Sequence, residues 1–134
     1  IVSTCSATIN KLSVAAALWQ RATTRFSLTD FLARREVLHF AFTPDMAAVL
    51  GGVANALMAT LVQLAIDRDE EFNHTYLIAD ESKYLADMTW LDEMAARGRG
   101  AGLGAAVIAQ AVPGLVAKWG EAKVNELLEL LACW

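Results

Sequence analysis

The chain has 134 residues, an apolar fraction of 56%, only 19% charged residues and a net charge of −4. That is one domain's worth of chain, able to bury roughly two-thirds of its unfolded surface, and greasier than the usual apolar share of about 45–50%. The acidic balance excludes bulk attraction to nucleic acid and leaves that task to a local basic patch.

Cys5 and Cys133 stand near opposite ends with no CxxC spacing, so they read as reduced, buried thiols of a cytosolic protein. There is no basic-then-apolar leader at Ile1, and Cys133 and Trp134 directly follow an apolar helical pattern; the expectation is an internal fragment of a longer protein.

In chain order, an Ala-rich helical stretch runs from about Lys11 to Ala22 and offers no chemistry. A short helix is expected from Ser27 to Arg34, with Ser27 as N-cap and Phe31 and Leu32 facing inward. Residues 37–42 are nearly continuously apolar and predict an interior strand. Thr43 then caps a helix with Pro44 at its first position, where a missing N–H costs nothing. That helix runs to about Ile66, and acidic residues 67–71 make a surface loop. Its uncharged portion, Met46 to Ile66, is long enough to cross a bilayer. Gly51, Gly52, Asn55, Thr60 and Gln63 dilute it, and its flanks lack basic bias, so a helix packed on a sheet is the preferred reading.

Residues 75–79 form a short apolar run that predicts a strand buried on both faces. The next helix has Thr89 as N-cap, Asp92 and Glu93 at its positive end and Gly98 as its terminator. Residues 103–109 predict a third strand ending at Gln110, and Pro113 with Gly114 breaks the chain. From Glu121 onward Val124, Leu127, Leu128 and Leu131 recur at helical spacing, with Lys123, Glu126 and Glu129 facing out. Alternating strands and helices predict an α/β fold, a parallel sheet flanked by helices.

The chemistry concentrates where the 75–79 strand ends in Asp80 and Glu81. Ligands of open α/β sheets bind beyond the carboxyl ends of the strands, and an apolar strand closed by Asp-Glu is the Walker B pattern of nucleotide-driven motors. One carboxylate would hold a nucleotide-bound Mg²⁺ and the other would orient the attacking water. Gln110 closes another strand at the same sheet edge, where a carboxamide can touch both a γ-phosphate and that water. Arg99, on the loop Gly98-Arg99-Gly100-Ala101-Gly102, is placed to stabilise phosphoryl-transfer charge, including at a neighbouring subunit's site.

Plainer readings stand beside these: an acid pair salt-bridged to Lys83, a polar residue that merely ends a strand, and a solvated arginine. Arg97, four residues after Glu93, reads as a structural ion pair. Gly100, Gly102 and Ala105 match a loose dinucleotide fingerprint in the wrong order, after a helix and before a strand. His39 and His74 lack the neighbours a metal ligand or catalytic base needs. No lysine follows a glycine in a Gly-Lys-Ser/Thr pattern, so the chain carries no phosphate-cradling loop and alone should bind ATP weakly or not at all.

Residues 76–120 resemble the Walker B half of the conjugative coupling proteins of type IV secretion systems, with their TraD/TraG-type motor. The resemblance rests on Leu77, Ile78 and Ala79 followed by Asp80 and Glu81, on Trp90 and Leu91 to Met94, and on the Gly98–Gly102 loop. The apolar strand to Gln110 and then Trp119, Gly120 and Glu121 complete it. It implies a partial RecA-like P-loop NTPase core without the Walker A strand and loop, with a helical lead-in over 1–36 and the C-terminal half of the motor over 37–134.

By resemblance Asp80 serves the Mg²⁺ through water, Glu81 the catalytic water, Gln110 the γ-phosphate of ATP and Arg99 a neighbouring subunit's site. The chain departs from the pattern at Ser82, where the family usually has an apolar residue. It departs again at Gly114, where a second glutamine is common, and in having Pro113.

The parent implied by the resemblance is a membrane-anchored, hexameric ATPase at the cytoplasmic face of the bacterial inner membrane. It moves single-stranded DNA with its relaxase toward the secretion channel. The competing assignments are an FtsK-type double-stranded DNA translocase, a non-catalytic α/β interaction module and a small membrane protein anchored by residues 46–66. A sheet without its phosphate-loop strand predicts marginal stability and aggregation through open strand edges.

Overall fold

The computed structural model describes residues 13–34, 36–68, 74–82, 85 and 88–131; Cys5, Cys133 and Lys83 lie outside that set. Helix α1 (residues 13–21) is mostly exposed, with Trp19 66% accessible. Helix α2 (Leu28–Ala33) is capped as its sequence predicts: Ser27 Oγ accepts the Asp30 N–H at 3.2 Å, and Leu32 is buried. The bond satisfies one of the orphan donors of the first turn.

Pro44 opens a 3-10 turn, Pro44–Met46, that leads into α3 (Ala47–Ile66). One side of α3 buries Gly51, Ala54, Leu61, Val62 and Ala65. Pro44–Ile66 has the length and apolarity of a membrane span, with mean hydropathy 1.8; here it packs on the helix after the first strand and touches the second strand.

Among the described residues the sheet has two parallel strands, β1 (Thr75–Ala79) and β2 (Leu103–Val107), in register from Thr75 beside Leu103 to Ala79 beside Val107. Between them runs α4 (Thr89–Glu93), prolonged by a π turn, Met94–Gly98, and a 3-10 turn, Arg99–Ala101. A hairpin of helices, α5 (Val112–Trp119) and α6 (Glu121–Leu131), completes the order. The core joins Leu77 and Ala79 of β1 and Leu103 of β2 to Leu61 and Val62 of α3, Trp90 and Leu91 of α4 and Leu127 of α6. Parallel strands joined through a covering helix are the α/β arrangement the alternating pattern predicts.

Four local expectations change. Residues 37–42 form no strand: Val37 is 94% exposed, while Leu38 and Phe42, four apart, lean on the core. A strand needs a ladder partner, and the paired strands among the described residues are β1 and β2, which take each other.

The second change concerns cover. β1 is buried on one face; Tyr76 and Ile78 are 72% and 63% exposed, and Ile108 joins them on that open face. Apolar composition gives a strand affinity for cover on both faces, but among the described residues helices cover only one.

Third, Gly98 does not end its helix. It keeps right-handed dihedrals, and Gly102, at φ 69°, is the left-handed cap. Gly98 is needed for closeness: a Cβ there would meet Leu103 Cβ at 3.2 Å. The helix also starts with Met88 as N-cap, without a side-chain bond, so Thr89 is its first residue rather than its cap, and Asp92 pairs with Lys123. Fourth, Pro113 lies in the first turn of α5 rather than breaking the chain, the position where proline fits best. Lys123, expected to face out, is half-buried between α6 and α4. Its Nζ donates to both Asp92 carboxylate oxygens at 2.8 and 3.0 Å, which raises its pKa.

Candidate functional site

The strands keep pairing beyond their formal ends. Ile108 N–H donates to Ala79 O at 2.8 Å, and Ser82 N–H donates to Ile108 O at 3.1 Å. This brings residues 80–82 alongside 108–110 at the carboxyl rim of the sheet, the usual place for ligands in open α/β folds. There the Gln110 amide donates Nε2–H to Glu81 Oε1 at 2.5 Å. A carboxylate oxygen accepts, so the carboxamide presents its nitrogen to it.

Glu81 is held at its other end too, with its N–H donated to Asp80 Oδ1 at 2.9 Å. Its φ of 50° is left-handed, the one such value outside glycine among the described residues. L-residues resist that region by about 1–2 kcal/mol, so the conformation is held by its surroundings. The outer oxygen of the pair, Glu81 Oε2, is buried, whereas Asp80 is exposed at the strand end.

Arg99 is not at this rim. It precedes β2, and Gly102 O accepts from Thr75 N–H at the opposite, N-terminal edge; five strand residues make that separation roughly 17 Å. Arg99 instead lines a cleft of about 380 Å³ with Leu91, Met94, Ala105, Glu126 and Glu129. Arg97 is the structural residue its spacing predicts, 3.8 Å from both Glu93 and Asp67. His39 and His74 are exposed, and no cluster of metal-ligating side chains occurs among the described residues.

Two residues near the rim carry no site signal that sequence reasoning picked up. Lys118 of α5 donates Nζ–H to the Leu85 carbonyl, tying the helix after Gln110 to the segment after Glu81; burial lowers its pKa. A lone helical lysine gives no sequence signal for such a tie. Ser82 is 0% exposed and its Oγ finds no hydrogen-bond partner among the described residues. Its departure from the apolar residue usual at that position was the available clue: the site is apolar and sealed.

The donor set suits a hydrated divalent cation beside phosphate. Mg²⁺ keeps several waters and binds proteins through one or two carboxylates, which the exposed Asp80 supplies, while the Gln110 amide offers donors to an anion. The phosphate cradle itself has no counterpart in this sequence.

A family profile described as "TraM recognition site of TraD and TraG" matches residues 74–134, from the start of β1 past the end of α6. Residues 74–134 are thus similar to that segment of the TraD/TraG family. The chain also matches the structure titled bacterial conjugative coupling protein TrwBdeltaN70, in its unbound monoclinic form, with a TM-score of 0.66 at 21% identity. That likeness is one of fold; it covers 79% of this chain and 26% of that one. No match is found among curated proteins. The matched segment contains the acid doublet, the carboxamide and Arg99 together, and the fold likeness to the coupling-protein structure extends upstream of it.

Proposed function

We propose that the chain is the Walker B half of a RecA-like motor, residues 37–134 after a helical lead-in, in a conjugative coupling protein that couples ATP hydrolysis to DNA transport. The observation that carries this reading is the 2.5 Å contact between Glu81 and Gln110, which joins the ends of the two strands at one rim. Bound ATP with Mg²⁺ supplies the phosphoanhydride whose cleavage drives the transport. Asp80 holds the hydrated cation, its exposed carboxylate acting through water. Glu81 orients the attacking water and takes its proton. Gln110 donates to the terminal phosphate. Arg99, at the far edge of the sheet, serves a neighbouring subunit rather than its own site, in a ring that is six-membered by family resemblance.

The cargo in this reading is single-stranded DNA with its relaxase, delivered to a type IV secretion channel from the cytoplasmic face of the bacterial inner membrane. The description of the matched family adds a relaxosome protein of the TraM kind as a partner of the 74–134 segment. Catalysis belongs to the parent, since a phosphate-binding loop is not in this sequence.

Turnover of ATP by the full-length parent carrying Glu81→Gln tests the assignment. The expected result is a drop of about 100-fold or more in kcat, the scale on which a positioned general base contributes. Unchanged turnover would end the motor reading.

A further inference from the structure

As folded, Glu81 is not free to work on a water. Oε1 is committed to Gln110, Oε2 is buried, and the backbone is bent into a left-handed conformation by the neighbouring Asp80 carboxylate. The framework around it is fixed: Ser82 N–H is bonded to Ile108 O, and Ile108 N–H to Ala79 O. The ends of the Glu81 and Gln110 side chains can change partners at this rim, and Gln110 is the exposed one of that pair.

Resting on the nucleotide-binding reading above, we propose that Gln110 is a latch on Glu81. In the nucleotide-free chain its amide holds the carboxylate in the left-handed arrangement, and a terminal phosphate releases Glu81 by taking the amide over. A phosphate oxygen is a charged acceptor of the same kind as the carboxylate it displaces. A nucleoside diphosphate lacks that oxygen and leaves the latch closed. Once released, the Glu81 side chain turns its carboxylate out of the buried position, where it can accept from water, while the paired backbone on either side stays in place.

A latch and a simple phosphate contact differ in how Gln110 couples to Glu81. If Gln110 only contacts phosphate, removing it weakens triphosphate binding equally with and without the Glu81 carboxylate. If the amide must first leave Glu81, its phosphate bond is partly offset by the lost latch, so removing Gln110 weakens binding less in the wild-type background than in Glu81→Ala, by the inverse of the open fraction; a latch closed four-fifths of the time gives about fivefold.

The experiment uses the full-length parent with a non-hydrolysable ATP analogue and with ADP, comparing wild type, Gln110→Ala and the shorter Gln110→Asn. The expected result is that Gln110→Ala weakens analogue binding about fivefold more on a Glu81→Ala background, where the amide is not held, than on wild type, with no such difference for ADP. Gln110→Asn should behave as Gln110→Ala does. An equal loss on the two backgrounds overturns the latch.

Hydrogen exchange of the nucleotide-free parent provides an arm that needs no ligand. Amides over residues 80–82 should exchange about tenfold faster in Gln110→Ala than in wild type, because the side chain that restrains this turn is gone and local opening becomes easier. Equal exchange overturns the proposal. A parent that binds no triphosphate overturns the motor reading and the phosphate trigger, while the exchange comparison still decides whether Gln110 holds Glu81.

Discussion

Residues 37–42 and β1 (Thr75–Ala79) are both short, nearly unbroken apolar runs, and by composition they are the same prediction. In the fold they diverge. β1 pairs in parallel with β2 and buries Leu77 and Ala79, while the earlier run lies in irregular backbone with Val37 almost fully exposed. Within that run Phe40 and Phe42 pack edge to face at 5.9 Å, so the aromatic rings find each other even though the backbone finds no ladder. An apolar run states a demand for burial. Whether it becomes a strand depends on a partner edge, which is a property of the whole sheet.

The sharpest way to break this comparison is to delete equivalent bulk from each run. Leu77→Ala should cost about 3 kcal/mol, since truncating a buried leucine forfeits transfer energy and leaves a cavity. Val37→Ala should change the stability measured by urea unfolding by less than about 0.5 kcal/mol. Equal effects would mean that the earlier run is covered in solution.

A smaller effect is expected where the paired strand ends. Ser82 is sealed, with no acceptor for its hydroxyl among the described residues. An unsatisfied buried polar group costs about 1–3 kcal/mol, so Ser82→Ala should raise the urea midpoint, by the equivalent of about 1 kcal/mol. A destabilised alanine variant would show that the hydroxyl has a hidden partner.

The smallest effect tests how the helices over β1 are held together. Lys123→Met removes the Asp92 pair between α6 and α4. Because Asp92 is partly open to water, the destabilisation should stay below about 1 kcal/mol. The hydrogen bond to Asp92 raises the Lys123 pKa above its ordinary 10.5. A raised folded-state pKa stabilises fully below the unfolded lysine value and fades as pH climbs through the folded one. The gap between wild type and Lys123→Met should therefore be flat from about pH 7 to 9 and close above about 10.5; a gap that persists at about pH 12 would assign the effect to packing.

Much of the candidate site is legible in the sequence. Asp80 and Glu81 end an apolar run, and Gln110 ends another, so a parallel alternation alone places all three at one rim. The Ser27 cap, the Pro44 start and the Arg97–Glu93 pair are equally readable, because each depends on neighbours within four residues. Arg99, expected close to that rim, lies at the opposite edge instead, because residues before and after a strand sit at its two ends. Spacing alone does not reveal the helix that continues through Gly98 to Gly102, nor the close approach of Leu103 that the missing Cβ of Gly98 allows.

The order of apolar runs and the residues that close them are written in the chain itself, as are the parallel α/β class and the shared rim, because period and punctuation are local properties. Tertiary structure alone decided which runs became strands, that one sheet face stayed open, and that Glu81 rests in a left-handed turn against the Gln110 amide. Those outcomes depend on partners distant in sequence, and the free energy of a ladder or a buried contact exists only once both sides of it are in place.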